Sequence, residues 1–249
     1  MQKLLGLMRS ACQQYDMIHA GDRIAVGVSG GKDSVSLLVA LARMRSFYPQ
    51  PFELVAITID PRFGGADGDY GAIEALCREL DVEYIIKRTR LAELIFDVRK
   101  EKNPCSLCAR MRRGALHNAA KEAGCNKLAL GHHLDDVAET LMMNLLNGGT
   151  LDCFMPVTYL SRKELYMIRP LIFARESDCA RVVRREGLPV VKSQCPADGV
   201  TERQEMRQFL SSLEPKYGNV REKILGAMQR KGINGYGLPE LQTEPEEDA

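Results

Sequence analysis

The chain has no tryptophan, only four histidines and almost no net charge: 34 Lys and Arg stand against 33 Asp and Glu, a formal charge of +1. Near-neutrality argues against an indiscriminate polyanion binder. No stretch approaches the roughly 18 uninterrupted apolar residues that a membrane helix needs, so no membrane partner is expected. The first residues, with Arg9, Gln13, Gln14 and Asp16, are too polar for a signal peptide, and a cytoplasmic location is the expectation. In that compartment the eight cysteines are expected to be thiols, which excludes a disulfide framework. Lys and Arg are also missing from Gly232 onward, where five acids stand: Glu240, Glu244, Glu246, Glu247 and Asp248. With Pro239 and Pro245, residues 236–249 read as an acidic disordered tail, and residues 1–231 are left mildly basic at +6.

What is present is ordinary globular chemistry, 45% hydrophobic and 27% charged over 249 residues, enough for one large α/β domain with an appended helical region. Short apolar or β-branched runs predict strands over 24–28, 54–59, 82–86, 128–131 and 166–169. Helical periodicity predicts helices over 3–19, 34–47, 70–80, 107–123, 135–146, 177–186, 202–212 and 220–229. The alternation implies right-handed crossovers and a parallel sheet covered on both faces, with ligands beyond the carboxyl ends of its strands.

Between the first strand and the next helix stand Ser29, Gly30, Gly31, Lys32, Asp33 and Ser34. A glycine turn into a helix leaves backbone N–H groups open, and the helix dipole adds positive potential, which suits a phosphate. Gly30 and Gly31 let the backbone approach an anion, Ser29 and Ser34 supply hydroxyls, Lys32 supplies charge, and Asp33 suits a metal ion or a helix cap. A Walker A loop is excluded, because Val26 stands where its first glycine belongs and Asp33 follows Lys32. The segment resembles the PP-loop pyrophosphatase family, whose signature Ser-Gly-Gly-x-Asp-Ser it matches at all five specified positions. The resemblance implies a PP-loop fold of the adenine nucleotide alpha-hydrolase type, ATP binding, and AMP left on a substrate oxygen as pyrophosphate departs. It also puts part of the adenosine pocket at Ile59 and Asp60, although Asp60 equally suits the opening of the loop from Pro61 to Gly68. The expected organisation is an N-terminal helix over 1–20, the PP-loop catalytic domain over 21–190, and a cluster loop with C-terminal helices over 191–235.

Gly131, His132, His133, Leu134, Asp135 and Asp136 close the fourth predicted strand and start a helix, and so should face the same crevice. Two acids beside a triphosphate are reconciled by a shared Mg2+. Asp135 equally suits a plain N-cap with Glu139 in the first turn. His132 and His133 suit contact with phosphate or packing at a strand end.

Cys105 and Cys108, preceded by Pro104 and followed by a helix, have ligand spacing, and Cys195 stands in a turn with Pro196 and Gly199. Cys12, Cys77, Cys125, Cys153 and Cys179 lie in or beside helices and apolar runs, where cysteine behaves as a small hydrophobe. A thioredoxin-like redox pair is the first alternative, but that motif follows the first strand of its own fold. Zinc with a fourth ligand from Asp198, His132 or His133 is the second. Three cysteines alone suit an iron-sulfur cluster with one iron open to hydrosulfide.

From Cys105 to Gly114, from Gly124 to Thr140, through Ile168 to Leu171 and into the loop at Cys195, the chain is similar to the tRNA 2-thiocytidine synthetase family. The similarity covers most of residues 20–210. It implies a 4Fe-4S cluster on Cys105, Cys108 and Cys195, ATP with Mg2+, Asp136 as a metal-linked residue, and thiolation of a cytidine in the tRNA anticodon loop. A poor electrophile such as the pyrimidine C2 carbonyl would first be adenylated, with Lys32 and Asp33 at the phosphates, and sulfur would then displace AMP. The implied partners are tRNA and a sulfur donor, either sulfide or sulfur derived from a cysteine desulfurase. The family often forms dimers, for which helices 3–19 and 220–229 are available. Arg110, Arg112 and Arg113, beside the cysteines, are the expected tRNA phosphate contacts. One departure stands out: family members carry a second late Cys-x-x-Cys pair, whereas Asp198 occupies the place of its second cysteine here. A PP-loop ligase using nitrogen chemistry with a structural zinc, and a non-catalytic nucleotide-regulated metal-binding module, remain as alternatives.

Overall fold

The computed structural model describes residues 1–98, 104–191, 195 and 202–237, without the side chains at 97, 104 and 105. The expected tail lies outside the described residues beyond Gly237, as do Asp198 and most of the loop around Cys195. The elements run α1 (Gln2–Gln14), β1 (Asp22–Gly27), α2 (Lys32–Met44), β2 (Phe52–Asp60), α3 (Gly71–Glu79), β3 (Glu83–Arg88), α4 (Pro104–Glu122) and β4 (Lys127–Ala129). There follow α5 (Leu134–Gly148), β5 (Val157–Leu160), β6 (Leu165–Ile168), α6 (Glu176–Glu186), α7 (Glu202–Tyr217) and α8 (Val220–Lys231).

The sheet order is β3-β2-β1-β4-β6-β5, parallel throughout except that β5 runs antiparallel to β6 at one edge. Ile24, Ala25 and Val26 of β1 are all fully buried because helices cover both faces. Ile24 and Val26 pack with α1, α2, α5, α6 and α8, while Ala25 packs with α4 and with Leu128 and Leu165. The two helices available for a dimer turn apolar residues inward: Leu4 and Met8 of α1 and Leu225 and Met228 of α8 belong to the chain's own core.

β5 is the strand that the sequence pattern does not predict. Its residues are half-buried to exposed with no two-residue alternation, and cross-strand pairing of Tyr159 with Tyr166, ring centroids 4.7 Å apart, holds it at the edge. α4 also begins earlier than expected, at Pro104, a residue whose missing N–H costs nothing in a first helical turn. Cys105 and Cys108 therefore both sit inside the helix, at i and i+3, rather than ahead of it.

Candidate active site

β1 lies where the strand order reverses, with β2 on one side and β4 on the other, so a crevice opens beyond its carboxyl end. The loop from Val28 to Gly31 fills the lip of that crevice. Its shape is knitted by two serines: the Ser34 hydroxyl donates to the Gly31 carbonyl at 2.9 Å and accepts from the Ser29 amide at 3.1 Å. The Ser29 hydroxyl lies 3.1 Å from that of Ser34 and accepts from the Gly31 amide at 3.3 Å. Gly30 has φ +85°, and its carbonyl accepts from the Val191 amide at 3.0 Å. A Cβ on Gly30 would lie 2.8 Å from the Val191 Cβ. Gly30→Ala thus combines left-handed strain of about 1–2 kcal/mol with a clash that pries Val191 away. The expected outcome is an ATP affinity lower by about tenfold, measured by calorimetry, in a protein that still folds.

Behind the loop the charged groups form a closed ring. Lys32 Nζ contacts Asp33 Oδ2 at 3.0 Å and Glu176 Oε1 at 2.7 Å. Glu176 pairs with Arg207 at 3.0 Å, and Arg207 Nε with Glu139 Oε1 at 2.9 Å. Arg203 lies 3.7 Å from Glu139 and 3.0 Å from Asp136. His133 closes the circuit, its ring 3.4 Å from Asp136 and 3.9 Å from Asp33. Burial works against the Lys32 charge, but Glu176 and Asp33 outweigh it and hold its pKa above the ordinary value. Burial pushes Glu139 up, with Arg207 offsetting only part of the effect. Burial likewise opposes the charge of Asp136, yet His133 and the cations around it hold the carboxyl below its usual range. Glu139, Glu176, Arg203 and Arg207 were absent from the site expected on sequence grounds.

The segment after β4 differs from the simple N-cap reading. His133 is the N-cap of α5 and shares a capping box with Asp136, whose Oδ2 accepts from the His133 amide at 3.0 Å while the ring Nδ1 accepts from the Asp136 amide at 3.3 Å. Asp135 instead serves other helices, accepting from the Glu176 amide at the start of α6 at 2.7 Å and pairing with Arg221 of α8 at 2.8 Å. A Cβ at Gly131 would meet the backbone of Asp33 and Ser34 at 3.2 Å, so a side chain here would press this strand end a few tenths of an ångström off the loop. His132 stacks on Phe154 with centroids 4.9 Å apart, and burial and the Arg169 charge push its pKa down to about 4.

A cleft of about 360 Å³ opens at this junction. Ile57, Ile59, Leu116 and Leu130 give it an apolar wall, and Ser29, Asp33, Gly131 and Arg112 a polar end. Apolar wall plus phosphate-suited end fits an adenine nucleotide. Asp33 Oδ1 is buried without a hydrogen-bond partner among the described residues, which fits a cation. Asp136 has one oxygen in the capping box and the other on Arg203. Asp60 lies outside the cleft: its oxygens accept from the Arg62 and Gly68 amides at 3.0 and 2.9 Å and shape the loop between them. A second cavity, of about 320 Å³, adjoins the cleft and shares Ser29 and Arg112 with it.

α4 forms one side of the cleft and lends Arg112 to the second cavity. Ala109, Arg112, Arg113 and Leu116 line the cleft at i, i+3, i+4 and i+7, and Cys105 and Cys108 continue that spacing toward the helix start. Arg110 lies off this stripe, is exposed and lines neither cavity. Val191, four residues before Cys195, is the residue bonded to Gly30, which brings the approach to that cysteine onto the loop. The other five cysteines are held as neutral thiols by burial, which pushes Cys12 and Cys153 up to about 12 and Cys77 and Cys125 up to about 11, and raises Cys179 as well. Among the described residues no group of three potential ligands is arranged to hold a metal, the side chain of Cys105 lying outside them. As donor chemistry, the remaining set of three cysteines fits iron-sulfur.

The PP-loop domain family matches residues 6–214. The tRNA-cytidine(32) 2-sulfurtransferase of Syntrophotalea carbinolica is 39% identical over 230 residues, covering 91% of this chain and 88% of the relative. The protein of the same name from Geobacter sulfurreducens is 38% identical over 230 residues, covering 91% and 89%. Among solved structures, the U34-tRNA thiolase NcsA from Methanococcus maripaludis with its 4Fe-4S cluster matches with a TM-score of 0.74 at 26% identity, over 96% of this chain and 84% of that one.

Proposed function

Since the chain belongs to the PP-loop family and, within it, to the tRNA-cytidine(32) 2-sulfurtransferases, we propose that it replaces the C2 oxygen of a cytidine in the tRNA anticodon loop with sulfur, using ATP. The observation that carries this reading is the meeting of three elements: the Ser29–Ser34 loop, the cysteine-bearing face of α4, and Val191 on the approach to Cys195. A nucleotide in the cleft and sulfur at the cysteines would then act on one bound base.

The adenosine lies along Ile57, Ile59, Leu116 and Leu130, and the phosphates along the loop amides, Ser29 and Lys32. Lys32 must loosen its contact with Glu176 to reach them, so the charge ring sets its starting position. The cytidine O2 attacks the α-phosphorus and pyrophosphate leaves, with Lys32 and the loop amides stabilising the charge that develops. Asp33, through its unpartnered oxygen, would hold the Mg2+ that accompanies ATP. Asp136 acts at one remove, by orienting His133 against Asp33. Cys105, Cys108 and Cys195 would hold a 4Fe-4S cluster, which would supply a place for sulfide beside the base. Attack of that sulfur on C2 breaks the C2–O bond, AMP leaves with the former carbonyl oxygen, and one proton is released. Arg112 and Arg113, which line the cleft, would meet the phosphates of an inserted nucleotide, and exposed Arg110 would meet more distant tRNA phosphates.

The tRNA substrate fits a cytoplasmic enzyme, and no described helix is long and apolar enough to cross a membrane. Sulfide is the donor in this scheme; sulfur from a cysteine desulfurase, carried as a persulfide, would first have to be reduced to sulfide by a thiol. The test is anaerobic incubation of bulk tRNA with the purified protein, ATP, Mg2+ and sulfide, followed by nucleoside mass spectrometry. 2-Thiocytidine with stoichiometric pyrophosphate is expected; tRNA-independent pyrophosphate release without a thionucleoside overturns the reading.

A further inference from the structure

We propose that the second cavity receives the target pyrimidine, with Tyr70 as the surface on which the base stacks and Asp69 as the acceptor for its exocyclic amine. The proposal deepens the sulfur-insertion reading and rests on it.

The cavity, at about 320 Å³, is lined by Ser29, Asp60, Phe63, Asp69, Tyr70 and Arg112 among others. The chain has only seven Phe and eight Tyr, and one of each stands here. Tyr70 owes its position to Gly68, where a Cβ would sit 2.8 Å from the ring, so a larger residue there would push the ring aside. Gly68 is in turn fixed by the hydrogen bond its backbone amide donates to Asp60 Oδ2. Phe63 is braced from behind by Phe96, with centroids 6.2 Å apart. A base that is to be modified must leave its stack, and an aromatic face repays part of that cost.

Polar groups at the cavity match a cytosine. Asp60 has both oxygens committed to backbone amides, so it shapes the pocket and reads nothing. Asp69 accepts from the Gly71 amide through Oδ1 at 3.0 Å, and among the described residues no hydrogen bond or ion pair engages its other oxygen. A carboxylate accepts from the N4 amine of cytosine but repels the O4 of uracil. The cavity joins the nucleotide cleft at Ser29 and Arg112, which line both. N4 and O2 flank N3 on one edge of the cytosine ring, so a base stacked on Tyr70 with N4 at Asp69 would present O2 at the other end of that edge, for attack on a nucleotide in the cleft that shares Ser29 and Arg112.

The experiment compares wild type, Tyr70→Ala, Tyr70→Phe and Asp69→Asn as anaerobic, cluster-loaded proteins on tRNA carrying C or U at the modified position. Binding is also followed with a tRNA bearing a fluorescent pyrrolocytidine there, a readout independent of sulfur transfer. Tyr70→Ala should raise the KM for tRNA about tenfold or more, abolish the fluorescence quench and leave the Kd for ATP unchanged, and Tyr70→Phe should restore most of the loss. Asp69→Asn should narrow the preference for C over U at least tenfold. An undiminished quench in Tyr70→Ala overturns the proposal, as does a raised Kd for ATP, which would make the cavity an outlet for the triphosphate. Absence of thionucleoside from the wild type counts against sulfur insertion itself, and the quench still decides whether the base enters the pocket.

Discussion

Cys108→Ser and Cys195→Ser should each abolish 2-thiocytidine formation, by a hundredfold or more, and strip the brown colour from anaerobically purified protein while ATP binding persists. The expectation follows from thiol chemistry. An iron-sulfur cluster takes thiolates, and burial keeps Cys12, Cys77, Cys125, Cys153 and Cys179 protonated. That leaves Cys105, Cys108 and Cys195, and with Asp198 in place of a second late cysteine the sequence offers no thiol after Cys195 to substitute for it. Serine is a poor replacement for a soft thiolate, so losing one of three ligands releases the cluster. Cys179→Ala, in the core against α2, should keep both colour and activity at a modest loss of stability. Iron, visible absorption and product retained together in Cys195→Ser would refute the three-cysteine assignment. Zinc in place of iron in the wild type would revive the structural-metal alternative.

The parts of the site that were legible in the sequence are those whose geometry is local. The strand, the two glycines, the paired serines and the helix occupy one continuous stretch, and the conformation they need is dictated by neighbours a few residues away. The central strands were legible because burial on both faces leaves an uninterrupted apolar run. β5 was not, because an edge strand with both faces partly wet has no alternation to read. The exchange of roles between Asp135 and Asp136 was equally hidden. Which of two adjacent acids caps α5 depends on His133 taking the N-cap, and Asp135 is drawn off by Arg221, a residue far along the chain. The charge ring was the least accessible feature: Arg207 and Glu139 are 68 positions apart, and only the docking of α7 on α5 brings them together.

That docking predicts an asymmetry between two variants of one ion pair. Glu139 is fully buried, whereas Arg207 and Arg203 remain about 40% exposed, at 39% and 41%. Arg207→Ala therefore strands a carboxylate that the native packing shields from water, with Arg203 the remaining cation beside it among the described residues, at a cost of about 3–5 kcal/mol. Glu139→Gln removes the buried charge, keeps a hydrogen-bond acceptor for Arg207 and leaves that arginine free to hydrate, so about 1 kcal/mol is expected. The pH dependence separates the two cases. Burial already raises the Glu139 pKa above its unfolded value, and removing Arg207 raises it further. Between the unfolded and folded pKa the native state then holds the extra proton, so stability increases as pH falls toward about 4.5 and declines as pH rises. Arg207→Ala should thus regain stability in urea titrations between pH 8 and pH 5 relative to wild type, and Glu139→Gln should show no such gain. Loss of Arg207 also leaves Glu176 to pair with Lys32 alone, so the variant should bind ATP more weakly even at the pH where its fold has recovered. Equal destabilisation of the two variants, with parallel pH profiles, would mean that the ring is a solvated surface network and that α7 is docked by its apolar contacts instead.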